Sequence, residues 1–246
     1  MPKKNTAALY RFIKGTIKFF YPKTEAVGTE NLPDEPCIIV GNHTQMNGPI
    51  AAELYMPFPR STWCAGQMMD KKDVPAYAFQ DFWSEKPAWT HPFYKLLSPA
   101  IAPVCEVVFT NAETIGVYHD ARILSTFRST VEKLSEGISV VIFPEHNVPF
   151  NHILYEFQDR FIDVAKLYYR KTKQALSFVP LYIAPKLHKM YFGTPIRFSP
   201  DASMDEERKR ISAYLMEEIT AMAVSLPRHR VIPYRNIPKK DYPYNI

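Results

Sequence analysis

The sequence predicts an α/β fold, with a mixed, mainly parallel central sheet flanked by helices. Two observations carry this expectation. Short runs rich in β-branched residues at 37–41, 61–65, 138–143 and 178–183 alternate with longer stretches of helical character, the pattern of strands joined by crossover helices. The run at 38–43, IIVGNH, also ends in polar groups, and open α/β sheets collect their sites at the carboxyl ends of strands. At 246 residues the chain suits one domain with an enlarged insertion. A mean hydropathy of -0.23 argues against a polytopic membrane protein. The longest apolar stretches read as strand-sized, short of the roughly 18 residues that span a bilayer.

The first element is an amphipathic helix over 4–21, KNTAALYRFIKGTIKFFY. At about 100° per residue, Lys4, Arg11, Lys14 and Lys18 share one stripe. Leu9, Phe12, Ile13, Thr16 and Phe20 take the other, and Pro22 ends the run. Lysines interrupt every apolar core there, which excludes a signal peptide. The first 24 residues hold six Lys/Arg and no acid. Such a helix suits the interface of an anionic membrane, aromatic side down. The alternative is a helix packed on its own domain with a solvated basic face.

A strand follows at 37–41, then a helix from Pro49 to about Met56, since proline is favoured at the first helical position, and a strand at 61–65. Residues 71–104 hold two Trp, five Phe/Tyr and five Pro without clean periodicity. They read as the wall of an acyl-chain pocket, a membrane-dipping insertion or an irregular cap. Beyond lie a strand at 104–110 (VCEVVFT), a helix near 121–136 stopped by Gly137, and the strand 138–143. A helix over 156–171 and the strand 178–183 come next, with further strand in LHKMYFG and PIRF. The last helix opens on a capping box, Ser203-Met204-Asp205-Glu206, and runs to about Ser225. The tail is Pro-rich, basic and expected to be extended. The expected organisation is a membrane-interface helix (1–24), an α/β domain (25–226, insertion 71–104) and a tail (227–246).

Three cysteines in apolar contexts read as buried thiols of a reducing compartment. Neither they nor His91, His152, His188 and His229 show ligand spacing, so no metal is expected. No basic groove or nucleic-acid motif is apparent, so nucleic acid is not an expected partner.

Gly41-Asn42-His43, Phe143-Pro144-Glu145-His146-Asn147 and Val179-Pro180-Leu181 are expected at one edge of the sheet. That makes His43, Glu145 and His146 the site candidates; the resemblance that follows adds Asn42, Gln45, Asn47, His119 and Asn147 as expected substrate contacts. In chain order, Asn42-His43, Val117-Tyr118-His119, GISVVIFPE (137–145) and Val179-Pro180-Leu181 resemble four sequence blocks of the glycerolipid acyltransferase family, which includes the lysophosphatidate acyltransferases. FGTPIRF and the helix after it are similar to that family's carboxyl-terminal part. The resemblance spans about residues 25–226 outside the insertion. It implies transfer of an acyl group from a thioester, carried by coenzyme A or acyl carrier protein, to a hydroxyl. Neither cofactor nor covalent intermediate is implied. His43 would be the general base, since imidazole titrates near working pH. The family's aspartate, five residues on, would hold its ring. Glu145 and two arginines would bind a phosphorylated acceptor.

Here Gly48 stands where the aspartate belongs, Val148 where one arginine belongs, and His119 where the other does. Three readings stay open. One is a rewired acyltransferase with a different lipid-like acceptor, in which Asn47, Gln45, Glu145 or Glu53 holds the ring. The second is an inactive protein of the same fold that binds lipid or acyl chains. The third is a hydrolase with His43 or His146 as base. Alternatively, Gly48 is only a helix N-cap, Asn47 a turn residue and His119 a surface histidine. The expected location is cytoplasmic, peripheral on the inner face of the membrane.

Overall fold

A computed structural model describes residues 4–84, 86–118 and 120–246. Its helices are α1 (Lys4–Phe20), α2 (Asn47–Tyr55), α3 (Val74–Ala78), α4 (His91–Asn111), α5 (Ile123–Ser135), α6 (Asp163–Thr172) and α7 (Met204–Ser225). Its strands are β1 (Glu25–Val27), β2 (Ile38–Gly41), β3 (Arg60–Ala65), β4 (Thr114–Val117) and β5 (Ser139–Ile142), then β6 (Glu145–Pro149), β7 (Tyr155–Phe157), β8 (Ser177–Ala184), β9 (Lys189–Phe192) and β10 (Ile196–Arg197). The chain divides into two compact units. One holds the residues up to Tyr21 and Ser61–Arg128, the other Pro22–Arg60 and Ser129–Ile246.

In the second unit the strands run in the order β1-β9-β8-β2-β5. β2 is central and parallel to both neighbours, with Ile39 level with Val141 and Val179. β9 and β10 pair antiparallel with β8, so the sheet is mixed but parallel where it is most buried. All four residues of β2 are buried, as a strand covered on both faces requires. Helix α7 packs on β8 and buries Ile211, Leu215, Ile219 and Ala223, a fourfold repeat that keeps one helix face on the sheet. Its start is the expected capping box, in which Ser203 and Glu206 bond each other's backbone N–H. Gly137 ends α5 with φ +85, a left-handed turn that glycine adopts without strain.

In the first unit β3 and β4 pair in parallel, and α3 and α4 pack on each other. The strand expected at 104–110 is the last part of α4 instead. Val107 and Val108 favour strand locally, but as helix the segment buries Cys105 and Ala102 against Met68 and Val74, and packing overrides a weak propensity. The insertion, which shows no clean periodicity in the sequence, is thus largely helical, with Pro99 and Pro103 inside α4. The expectation of strand-sized apolar stretches fails here too. Ala88–Asn111 is long and apolar enough, by length and composition, to cross a membrane. Helix α1 contacts α4 and half-buries Tyr10 and Ile13. Phe12, Phe19 and Phe20 on α1, and Trp89, Phe93 and Leu96 at and within the start of α4, remain exposed.

Other expectations shift in detail. Helix α2 begins at Asn47, not Pro49, and Met46 is its N-cap, so Gly48 lies inside the first turn rather than capping it. The helix expected over 156–171 is a short strand (β7), a 3-10 turn (Asp159–Ile162) and then α6. Val179-Pro180-Leu181 lies within β8, beside Ile39–Gly41, not at a strand end. The tail is not a free extended segment. It folds back on the second unit with Val231, Tyr242 and Asn245 buried.

Candidate active site

The site is built on β2, the central parallel strand, and all the parts described here belong to the second unit. Asn42, the residue after β2, is buried and turned to β8. Its side-chain amide donates to Ile183 O (3.0 Å) and its oxygen accepts Ile183 N–H (2.7 Å). This two-point lock fixes where the strand ends and uses one donor and one acceptor of the amide expected to contact substrate. His43 comes next. Its backbone N–H donates to Glu145 Oε1 at 2.6 Å, and the other Glu145 oxygen accepts Tyr155 N–H at 2.8 Å. Glu145, only 5% exposed, therefore clamps the strand end to the β6–β7 hairpin through two peptide groups. It does not reach the imidazole. Burial pushes its carboxyl up to about 7, with the two amides pulling the other way.

The turn after His43 is strained. Thr44 and Gln45 have φ of 45 and 56, a left-handed conformation that costs non-glycine residues, and β-branched threonine most. It is held from both sides. Asn47 donates backbone and side-chain N–H groups to Thr44 O at 3.1 and 3.0 Å. Gln45 Nε2 donates to Arg235 O (3.2 Å) and Tyr242 Oη (3.1 Å) of the tail. Gly48 then passes so close to the strand end that a Cβ there would lie 2.6 Å from His43 O and 2.8 Å from Asn42 O. A side chain at the position of the family's aspartate has no room without backbone movement.

The His43 ring packs between two aromatic rings. Phe143, just after β5, and Tyr234, from the tail, each lie 5.7 Å away, at interplanar angles of 71° and 88°. Tyr234 also contacts Tyr155. Among the described residues, the buried Nδ1 of His43 has no hydrogen-bond partner. Burial lowers the pKa of this histidine below its ordinary value, with backbone groups of Gln45 and of His43 itself acting in the opposite sense. The neutral imidazole is therefore favoured.

None of the four groups expected to hold the ring does so. Glu145 takes the peptide, Gln45 the tail and Asn47 the turn, while Glu53 pairs with Arg60. His146 faces Glu156 across the hairpin at 3.6 Å. Asn147 is exposed on the same hairpin, near exposed Val148. His119 lies outside the described residues. The structure thus joins His43, Glu145, Gln45 and Asn47 in one cluster, with Asn42 beneath it.

Sequence reasoning missed Tyr234. Its signal is faint, one aromatic in the run VIPYRNIP, and nothing local in that run points to a site at the other end of the chain. The tail is anchored by its own contacts. His229 Nε2 meets Tyr182 Oη at 2.8 Å, and Asn245 Oδ1 accepts His229 N–H while its amide donates to Ala223 O.

No protein-family model matches the chain, and no curated protein matches it. Among solved structures, the chain is similar to the 1-acyl-sn-glycerophosphate (LPA) acyltransferase PlsC from Thermotoga maritima, with 16% sequence identity, a TM-score of 0.44, and coverage of 89% of this chain and 79% of that one.

Proposed function

We propose that the protein moves an acyl group from an acyl thioester to a hydroxyl of a lipid-like acceptor, with His43 as general base. The observation that carries the reading is the imidazole at the end of the central parallel strand. A buried carboxylate accepts its backbone N–H, a buried amide fixes Asn42 just before it, and burial lowers the pKa of the ring. In the proposed reaction the imidazole takes the acceptor's proton as that oxygen attacks the thioester carbon. The tetrahedral intermediate then collapses, the C–S bond breaks, and the imidazolium returns the proton to the departing thiolate. Glu145 acts as a positioning residue on the His43 peptide. With Val148 in place of a cation, the acceptor is one that does not depend on a phosphate ligand there.

We further propose an anionic membrane surface as partner of the first unit. Exposed Phe12, Phe19 and Phe20 on α1, with Trp89, Phe93 and Leu96 at α4, supply an apolar face. Arg11, Lys14 and Lys18 supply positive charge.

The second reading is a non-catalytic protein that binds acyl chains or lipid. One observation favours it: among the described residues no carboxylate bonds the His43 imidazole, and two aromatic rings flank it instead. Thiol release from a panel of acyl thioesters with mixed acceptor lipids, compared with His43→Ala, separates the two. Release that needs both acceptor and His43 supports the transferase. Release without acceptor points to hydrolysis. Binding of acyl chains with no release above the variant gives the second reading.

A further inference from the structure

We infer that Tyr234, carried by the carboxyl-terminal tail, is a positioning residue for His43, and that it and Phe143 together fix the imidazole plane in place of a carboxylate. The inference rests on the proposed reaction for its functional meaning and on geometry for its substance.

A histidine ring attached to a fixed backbone keeps two freedoms, its side-chain torsions, and a catalytic base needs both restrained. A carboxylate on Nδ1 does this by a directional hydrogen bond. Here Nδ1 has no such bond, and Gly48 has no room for a side chain that could supply one. The two rings that touch the imidazole do so at steep angles, an edge-to-face arrangement that aromatic pairs prefer over a face-to-face stack. Packed on an imidazole whose backbone is held by strand and hairpin, they oppose rotation of its plane.

Tyr234 is itself held. Arg235 O and Tyr242 Oη both bond Gln45 Nε2, tying the tail to the turn that follows His43. The buried Asn245 and His229 anchor the tail to the body of the unit. These anchors lie outside the Tyr234 side chain, so its replacement leaves the tail attached. Of the titratable groups, Glu145 meets the His43 peptide and Tyr234 its ring.

The test uses the full chain with ¹⁵N-labelled histidine, the His43 ring signals being assigned by their loss in His43→Gln. Tyr234→Phe keeps the ring contact, and Tyr234→Leu keeps bulk without an aromatic face. Wild type and Tyr234→Phe should give the same His43 ring-nitrogen shifts and turnover. Tyr234→Ala and Tyr234→Leu should move those shifts toward the averaged tautomers of free imidazole and lower kcat about tenfold with KM for the thioester little changed, as expected of a group that acts only on the base. Wild-type shifts in both the Ala and Leu variants overturn the inference. If the wild type transfers no acyl group to any acceptor, the nitrogen shifts decide alone. Movement in the Ala and Leu variants then keeps the positioning role while the reaction reading falls.

Discussion

The two units of this protein treat their aromatic residues in opposite ways. In the second unit, Phe143 and Tyr234 pack on one histidine, with Tyr155 against Tyr234, and the polar groups nearby mostly have partners. In the first unit, α1 and α4 leave Phe12, Phe19, Phe20, Trp89 and Leu96 facing outward. The difference teaches how each unit is specified. The second is defined by long-range hydrogen bonds that fix single atoms. The first is defined by helix packing on one side and leaves aromatic side chains exposed on the other, where the proposed membrane surface would sit.

The sharpest break in the comparison is at His43. If the ordered cluster exists for catalysis, His43→Ala should lower acceptor-dependent thiol release by about 10²–10⁴-fold, the range of general-base contributions, in protein that remains folded. A variant that keeps wild-type turnover sinks the catalytic reading. Next comes Glu145→Ala, which leaves the buried N–H groups of His43 and Tyr155 without acceptors. A loss of about 2–5 kcal/mol in urea unfolding is expected, and a loss below about 1 kcal/mol would mean the clamp is not structural. Gly48→Asp tests whether a carboxylate can be placed five residues after His43, where the acyltransferases that the sequence resembles carry theirs. The close backbone of residues 42 and 43 should make it destabilising by about 1–3 kcal/mol without gain in rate. A faster, equally stable variant would show that the turn adapts.

The first unit predicts the reverse signature. Phe19→Ser with Phe20→Ser should change stability by no more than about 0.5 kcal/mol per site, as for other surface positions. Partitioning onto anionic vesicles should fall tenfold or more, since burying a phenylalanine contributes about 1.5–3 kcal/mol. Unchanged partitioning would remove the membrane as partner.

The smallest effect is in pH. A histidine whose folded pKa is depressed contributes stability that is complete above its ordinary value of 6.5 and lost as pH falls through the folded value. Glu145 has the opposite sign. Raised to about 7 from 4.5, its contribution is present below 4.5 and lost as pH rises through 7. Unfolding free energy measured across that range should show an acid-side loss in the wild type that His43→Gln reduces, while the loss near neutrality persists. Equal acid-side losses in both proteins would assign the limb to other groups.

The strands on either side of the site, the capping box of α7 and the glycine that ends α5 were all legible in the sequence. Each follows from residues within one element, from β-branched runs, a Ser/Glu pair three apart, or a glycine in a left-handed turn. His43 and Glu145 were legible as candidates because a polar residue directly after an apolar strand has few other places to go. Their relation was not. A carboxylate three residues past one strand can meet a ring or a peptide at the end of another, and only the register of β2 beside β5 placed it on the peptide. In the same way, VCEVVFT carries strand propensity, and only its burial against Met68 and Val74 made it helix.

By itself, then, the sequence determined the alternation of strands and helices and the presence of a histidine at a strand tip, because local periodicity and turn chemistry are written within a dozen residues. Tertiary structure alone decided what surrounds that histidine. The absence of room at Gly48 and the arrival of Tyr234 from the far end of the chain are contacts between distant segments, and no local pattern encodes how such segments meet.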